Sequence, residues 1–193
     1  IANNLAIRKP HRQGKDMELS PGEKIIIGML ADIKNHLDIA GNIDHQFVES
    51  AILNDHLWAI EWQMPGMNFP KTNTPPHVSE VVDILDMWEV VERSFEGLDQ
   101  AERDEIENND DLYQPRFVGF DGNNETKYMS VARFFVNDMD RFQRFHGRDF
   151  NSHLPCVSRY LDMVSAFKAC GRDWLERQPA GLTKDEIIKI LSR

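Results

Sequence analysis

The chain holds only two cysteines, Cys156 and Cys170. If both lie on one helix, the fourteen positions between them span about 21 Å along its axis. A disulfide needs Cα atoms within about 7 Å, so the two do not pair within that helix, and two free thiols fit a reducing cytoplasm. Neither belongs to a CxxC pair, which leaves zinc-ribbon and thiol-redox readings without support. No apolar run approaches the length needed to span a bilayer, so no membrane insertion is expected. The first sixteen residues, IANNLAIRKPHRQGKD, lack the apolar stretch of a secretory signal. They begin without Met and are read as a processed end, a tag remnant or a fragment boundary. Positive charge is scarce as well: 22 Lys and Arg face 32 Asp and Glu, a formal net charge of −10. Such a chain repels phosphate backbones on average, which argues against non-specific nucleic-acid binding. Familiar catalytic signatures are missing too, with no G-x-S-x-G, no phosphate-binding glycine loop and no H-E-x-x-H. Whether the chain is an enzyme stays open, and no metal or cofactor is expected.

What is present is helical patterning. At 193 residues with a hydrophobic fraction of 41%, the chain suits one domain with a continuous core. Residues 1–16 read as a polar, basic, flexible leader, and residues 17–193 as a helical domain. Ser20, Pro21 and Glu23 form a helix start, followed by an amphipathic stripe of Ile26, Met29, Leu30, Ile33 and Leu37. Gly41 and Asn42 are expected to stop that helix, and Asp44 to cap the next. The second helix, His45 to Trp62, is apolar nearly all round and must be central or covered by a partner. A Pro-rich connection, MPGMNFPKTNTPP, follows, with Met67 and Phe69 as candidates for pinning it down.

Thr74, Pro75 and Pro76 open a third helix bearing Val81, Ile84, Leu85, Trp88 and Val91, ended by Gly97. Asp99 with Glu102 caps a short acidic fourth helix, and Thr183 with Glu186 a final one. Between them a fifth helix follows a Gly-rich turn, and Pro155 opens a long sixth carrying Val157, Tyr160, Val164, Phe167 and Trp174. The reading is an all-α, single-domain bundle of six or seven helices with a Pro-rich connection and a short Gly-rich turn.

The most specified stretch runs from Phe117 to His153. Phe117-Val118-Gly119-Phe120 reads as a brief extended piece and Asp121-Gly122-Asn123-Asn124 as a turn. In it Gly122 is expected to supply positive φ, Asn123 or Asn124 to cap the helix, and Asp121 to anchor the turn, with Gly119 or Gly122 held in a backbone conformation unfavourable to other residues. The competing reading is an anion or small-ligand site, since exposed N–H groups at a helix start attract negative charge. A calcium loop fails because the twelfth position from Asp121 is Ala132 rather than Glu. His146 and His153 flank a loop with Asp149, and two His with one carboxylate is a recognised metal set; local hydrogen bonding is the plainer reading. Arg141-Phe142-Gln143-Arg144-Phe145 sets arginine beside aromatics, as in stacking or phosphate-gripping sites. The plainer alternative buries the rings and leaves the guanidinium heads in water. The low-level ligand candidates are thus Asp121, Asn123, Asn124, Arg133, Arg141, Arg144, His146, Arg148, Asp149 and His153.

FVGFDGNNETKYMSVARFFVN, taken with WAIEWQMPGM and VVDILDMWEVVE, resembles the YfbU family of bacterial proteins over Met17 to Arg193. The most specific elements are Phe117, Gly119, Phe120 and Asp121 leading into the Glu125–Asn137 helix with Arg133. The resemblance implies a cytoplasmic, all-helical, self-associating protein. Some relatives carry an added N-terminal DNA-binding module, for which a sixteen-residue leader is too short, and no catalytic residues carry over. The leading expectation is therefore an interaction or regulatory protein acting through protein–protein contacts as a homo-oligomer, with an unknown protein partner. The alternatives are an enzyme or binder acting on an anionic ligand, and a nucleic-acid binder using Arg133, Arg141, Arg144 and Arg148.

Overall fold

The computed structural model describes residues 18–64, 74–171 and 181–193. The leader, Met67 and Phe69 of the Pro-rich connection, and Trp174 lie outside them. Among the described residues the chain is all-helical, with eight α-helices, one 3-10 turn and no strand. The sequence divides into two compact units between Pro75 and Pro76.

The first unit contains α1 (Pro21–His36), α2 (His45–Leu53) and α3 (Leu57–Gln63). Ser20 and Glu23 close the expected reciprocal cap of α1, and Asp44 accepts from the Gln46 and Phe47 N–H groups to start α2. The first helix ends earlier than Gly41: Asp38, with φ 49°, takes the left-handed turn. The expected second helix breaks in two, which is why the helix number exceeds six or seven. Asp55 adopts φ 59° and the His56 N–H turns back to the Ala51 carbonyl at 2.7 Å. An apparently all-round apolar helix is thus two short helices with separate buried faces, Phe47, Ala51 and Ile52 on α2 and Leu57 to Ile60 on α3.

The second unit is built on α4 (Pro76–Glu96), followed by α5 (Gln100–Glu107), α6 (Thr126–Asn137), the 3-10 turn Gln143–Phe145, α7 (Val157–Ala169) and α8 (Lys184–Leu191). The expected caps Asp99/Glu102 and Thr183/Glu186 both form. Along α4 the residues Val81, Ile84, Leu85, Trp88 and Val91 are fully buried, and α6, α7 and α8 pack against this helix. Tyr160 packs edge-on to Trp88, with ring centroids 5.5 Å apart, and Phe117 meets Phe120, Phe145 and Phe150 within about 6 Å. Cys156 and Cys170 flank α7 at its two ends, their sulfurs against the Leu154 and Ala166 carbonyls.

Candidate functional site

The short extended piece expected at Phe117–Phe120 forms a single parallel bridge with Asn151. The Phe120 N–H donates to the Phe150 carbonyl at 2.9 Å, and the Ser152 N–H donates back to the Phe120 carbonyl at 3.0 Å. Only glycine fits at 119. Its φ is +96°, and a Cβ there would lie 2.1 Å from the Phe150 carbonyl oxygen.

The turn that follows is satisfied from within. Asp121 is buried, and its carboxylate accepts from the Asn123 N–H at 2.9 Å and from the Asn124 side-chain amide. These donors hold its pKa below the ordinary carboxylate value, the Asn123 N–H contributing most. Two details of the sequence reading change. Positive φ belongs to Gly119 and not to Gly122, which is instead fixed by its N–H bond to Asn151. Neither asparagine caps α6; its N-terminal boundary residue is Glu125, without a side-chain cap. The Glu125 carboxylate turns elsewhere, accepting from the Asp121 N–H and from the Cys156 and Val157 N–H groups at the start of α7, all within 2.8–3.0 Å. An anion does sit on a helix N-terminus here, and it is the protein's own.

The arginine group is engaged in the same way. Glu92, buried on α4, accepts both guanidinium nitrogens of Arg148 at 2.6 and 2.7 Å, Nε of Arg144 at 3.0 Å and the Phe117 N–H at 2.9 Å. Arg144 also pairs with Glu96. Burial by itself pushes the Glu92 pKa up, but the Arg148, Phe117 and Arg144 donors outweigh it and hold the carboxyl below its ordinary value of 4.5. Arg148 stacks over Phe145, and Arg141 over Phe135 and Phe142. Arg133 faces Asp149 at 3.6 Å.

His146, Asp149 and His153 do not assemble into a metal set, and no group of three or more His, Cys, Asp or Glu side chains is placed to hold a metal among the described residues. Asp149 accepts from the Asn151 N–H at 3.0 Å, and His153 sits at φ 58° with its N–H on the Asn151 side chain. Glu92, Glu125 and Asn151, which organise this whole region, escape a motif search. Glu92 alone carried a visible signal: it lies four residues after Trp88 and seven after Leu85, a carboxylate on the buried stripe of α4.

Beside this cluster opens a surface cavity of about 600 Å³ lined by Glu92, Glu96, Tyr113, Arg116 and Arg148 among others. Glu92 is already paired with Arg148 and Arg144, and Glu96 with Arg144. Tyr113 is pushed up to about 12, chiefly by burial. Deeper in, Trp88 Nε1 is buried without a hydrogen-bond partner among the described residues.

Most of the exposed large apolar side chains among the described residues belong to α1 and the turn after it. Ile25, Ile26, Met29, Leu30, Ile33 and Leu37 are each between 50% and 64% exposed. At 100° per residue they occupy one stripe about 140° wide. α1 uses another side to pack on α2, with Ala31 as its buried residue. The stripe that amphipathic periodicity assigns to the core therefore faces outward. Ile39 and Ile43 extend it, and between α1 and α2 lies a mainly apolar groove of about 430 Å³ bounded by Ile27, Leu30, Ile39, Ile43 and Val48.

Fold and site together define a protein that is all-helical over the described residues, with an internally locked polar cluster and an outward apolar helix face. The chain belongs to the YfbU family: the YfbU domain matches residues 17–192, which takes in both units. It is also similar to the UPF0304 protein MJECS11 of Methanocaldococcus jannaschii, 32% identical over 117 residues. That match covers 58% of this chain and 64% of the relative, so the chain spans less than two thirds of its length. No described helix is long and apolar enough to cross a membrane.

Proposed function

We propose that this chain is a cytoplasmic interaction or regulatory protein that works through protein–protein contact as a homo-oligomer. The observation that carries this reading is the exposed stripe of α1. Six large aliphatic side chains on one helix face, extended by Ile39 and Ile43, exceed the scattered apolar exposure normal for a monomer. In the sequence, His45–Trp62 was the helix most in need of cover; its two halves bury faces of their own, and the exposed stripe lies one helix earlier.

The ligand and nucleic-acid alternatives draw less support. Arg144 and Arg148 would have to leave Glu92 to grip an anion, and the amides of the Asp121 turn already have acceptors. Light scattering on the purified chain at micromolar concentration and moderate salt tests the reading. The expected mass is a multiple of 22.4 kDa, and a monomer mass across that range overturns it.

A further inference from the structure

We propose that the covering occupant of α1 is the α1 of a second copy, packed antiparallel about a two-fold axis that passes between Met29 and Leu30. The inference rests on the self-association reading and adds to it the interface, its direction and its centre.

Area gives the first argument. Each of the eight exposed side chains presents on the order of 100 Å², so Ile25, Ile26, Met29, Leu30, Ile33, Leu37, Ile39 and Ile43 together offer roughly 800 Å² per copy, one partner's share of a standard interface. The stripe with its extension thus offers the area that a stable dimer needs. Self-complementarity is the second. Ile26 and Ile33 run down the middle of the stripe and lie symmetrically about its midpoint, with Met29 and Leu30 flanking that point. Antiparallel pairing there sets Ile26 against the partner's stripe at the level of residue 33, and Met29 at the level of residue 30. An isologous contact of this kind closes on itself and does not propagate into a fibre.

Charge supplies the direction. Glu23 lies in the first turn of α1, and Lys34 and His36 in the last. Antiparallel pairing brings the acidic start of each helix to the basic end of the other and opposes the two helix dipoles. Parallel pairing would stack Glu23 on Glu23 and Lys34 on Lys34. The groove between α1 and α2 is continuous with the stripe through Leu30, Ile39 and Ile43, so side chains from the partner helix have a recess to enter.

Cysteine cross-linking on the full chain tests the geometry, in a background with Cys156→Ser and Cys170→Ser so that only introduced thiols react. Both test positions are exposed, so neither substitution threatens folding. Leu30→Cys lies beside the proposed axis. Leu37→Cys lies far from it, about 22 Å from its counterpart along an antiparallel pair. A short bis-maleimide is expected to join Leu30→Cys chains efficiently and Leu37→Cys chains at least tenfold less, with Met29→Glu/Ile33→Glu giving monomers by light scattering. Cross-linking at both positions would mean a parallel pair and overturns the proposal. Cross-linking at neither, with a dimer mass retained, places the interface elsewhere and leaves self-association standing. A monomer that Met29→Glu/Ile33→Glu destabilises would show the chain covering its own stripe, and both readings then fail. A monomer that the double substitution leaves unaffected sinks both as well.

Discussion

The second unit and the first use the same kinds of residues to opposite ends. Around α4 the apolar stripe is buried completely, and the one charge on it, Glu92, is met by two arginines and a backbone N–H. On α1 a stripe of equal regularity is left uncovered, while Lys34 helps brace the following turn through the Ile43 carbonyl. Helical periodicity is identical in meaning at both places: it says that a face wants burial. It does not say whether the burial comes from the same chain. That distinction is set by what surrounds each helix: α6, α7 and α8 pack closely on α4, while α2 packs closely on α1 among the described residues of its unit.

The contrast breaks most sharply at Glu92. Replacing it with Ala strands Arg144 and Arg148, both mostly buried, together with the Phe117 N–H. Removing one partner from such a cluster costs about 3–5 kcal/mol. Equilibrium denaturation should show that loss in the second unit, while the oligomeric mass stays unchanged. If Glu92→Ala left stability unaltered, the cluster would be a surface network and the contrast between the units would fail.

The same residue gives a pH signature. The folded pKa of Glu92 lies below its unfolded value near 4.5, so its contribution to stability is present above that value and is lost as pH falls through the folded pKa. Asp121 shifts in the same direction. Stability of the wild type should therefore drop steeply below about pH 4.5, with a shallower drop in Glu92→Gln. Parallel pH–stability curves for the two proteins would assign the acid transition to other carboxylates.

Gly119 is next in size. An added Cβ meets the Phe150 backbone and the residue is held at φ +96°, so Gly119→Ala should cost about 3 kcal/mol through strain and loss of the Phe120–Asn151 bridge. At Gly122 the corresponding neighbour is the Asn151 side chain at 3.0 Å, which can give way, and Gly122→Ala should cost about 1 kcal/mol. Thermal melts of the two variants test the order. Equal losses would mean that the turn, rather than the bridge, carries the constraint.

Much of the fold was legible because its signals are local. Ser20/Glu23, Asp44, Asp99/Glu102 and Thr183/Glu186 cap helices as their spacing dictates, for each cap involves residues within one turn. The break at Asp55 was not legible, since Asn54 and His56 are tolerated inside helices and the left-handed residue is not a glycine. The candidate site was legible as a region and not as a mechanism. Phe117, Gly119 and Asp121 stand out in sequence, but their partners Glu92, Asn151 and Glu125 are ordinary polar residues given meaning by long-range contact. The arginines looked available because sequence displays a charge without its counter-charge.

The smallest prediction tests the division of labour on α1 itself. Gly28 lies in the middle of this helix, about 130° around it from the centre of the stripe, and a Cβ there meets nothing within 4 Å. Glycine in a helix interior costs roughly 0.5–1 kcal/mol relative to alanine, mainly because the unfolded chain has more freedom to lose. Gly28→Ala should thus slow hydrogen exchange of the α1 amides by a factor of about 2–5, the kinetic equivalent of that gain. Because the position lies off the stripe, the oligomeric mass and its concentration dependence should not change. A variant that rigidifies α1 yet weakens association would mean that the interface wraps past the stripe onto the Gly28 side, where the small residue permits close approach of a neighbour. Unchanged exchange would mean that α1 is held by contacts strong enough to mask its intrinsic propensity, as a helix already buried in an oligomer would be, and exchange at a dilution that favours monomers would then separate the two effects.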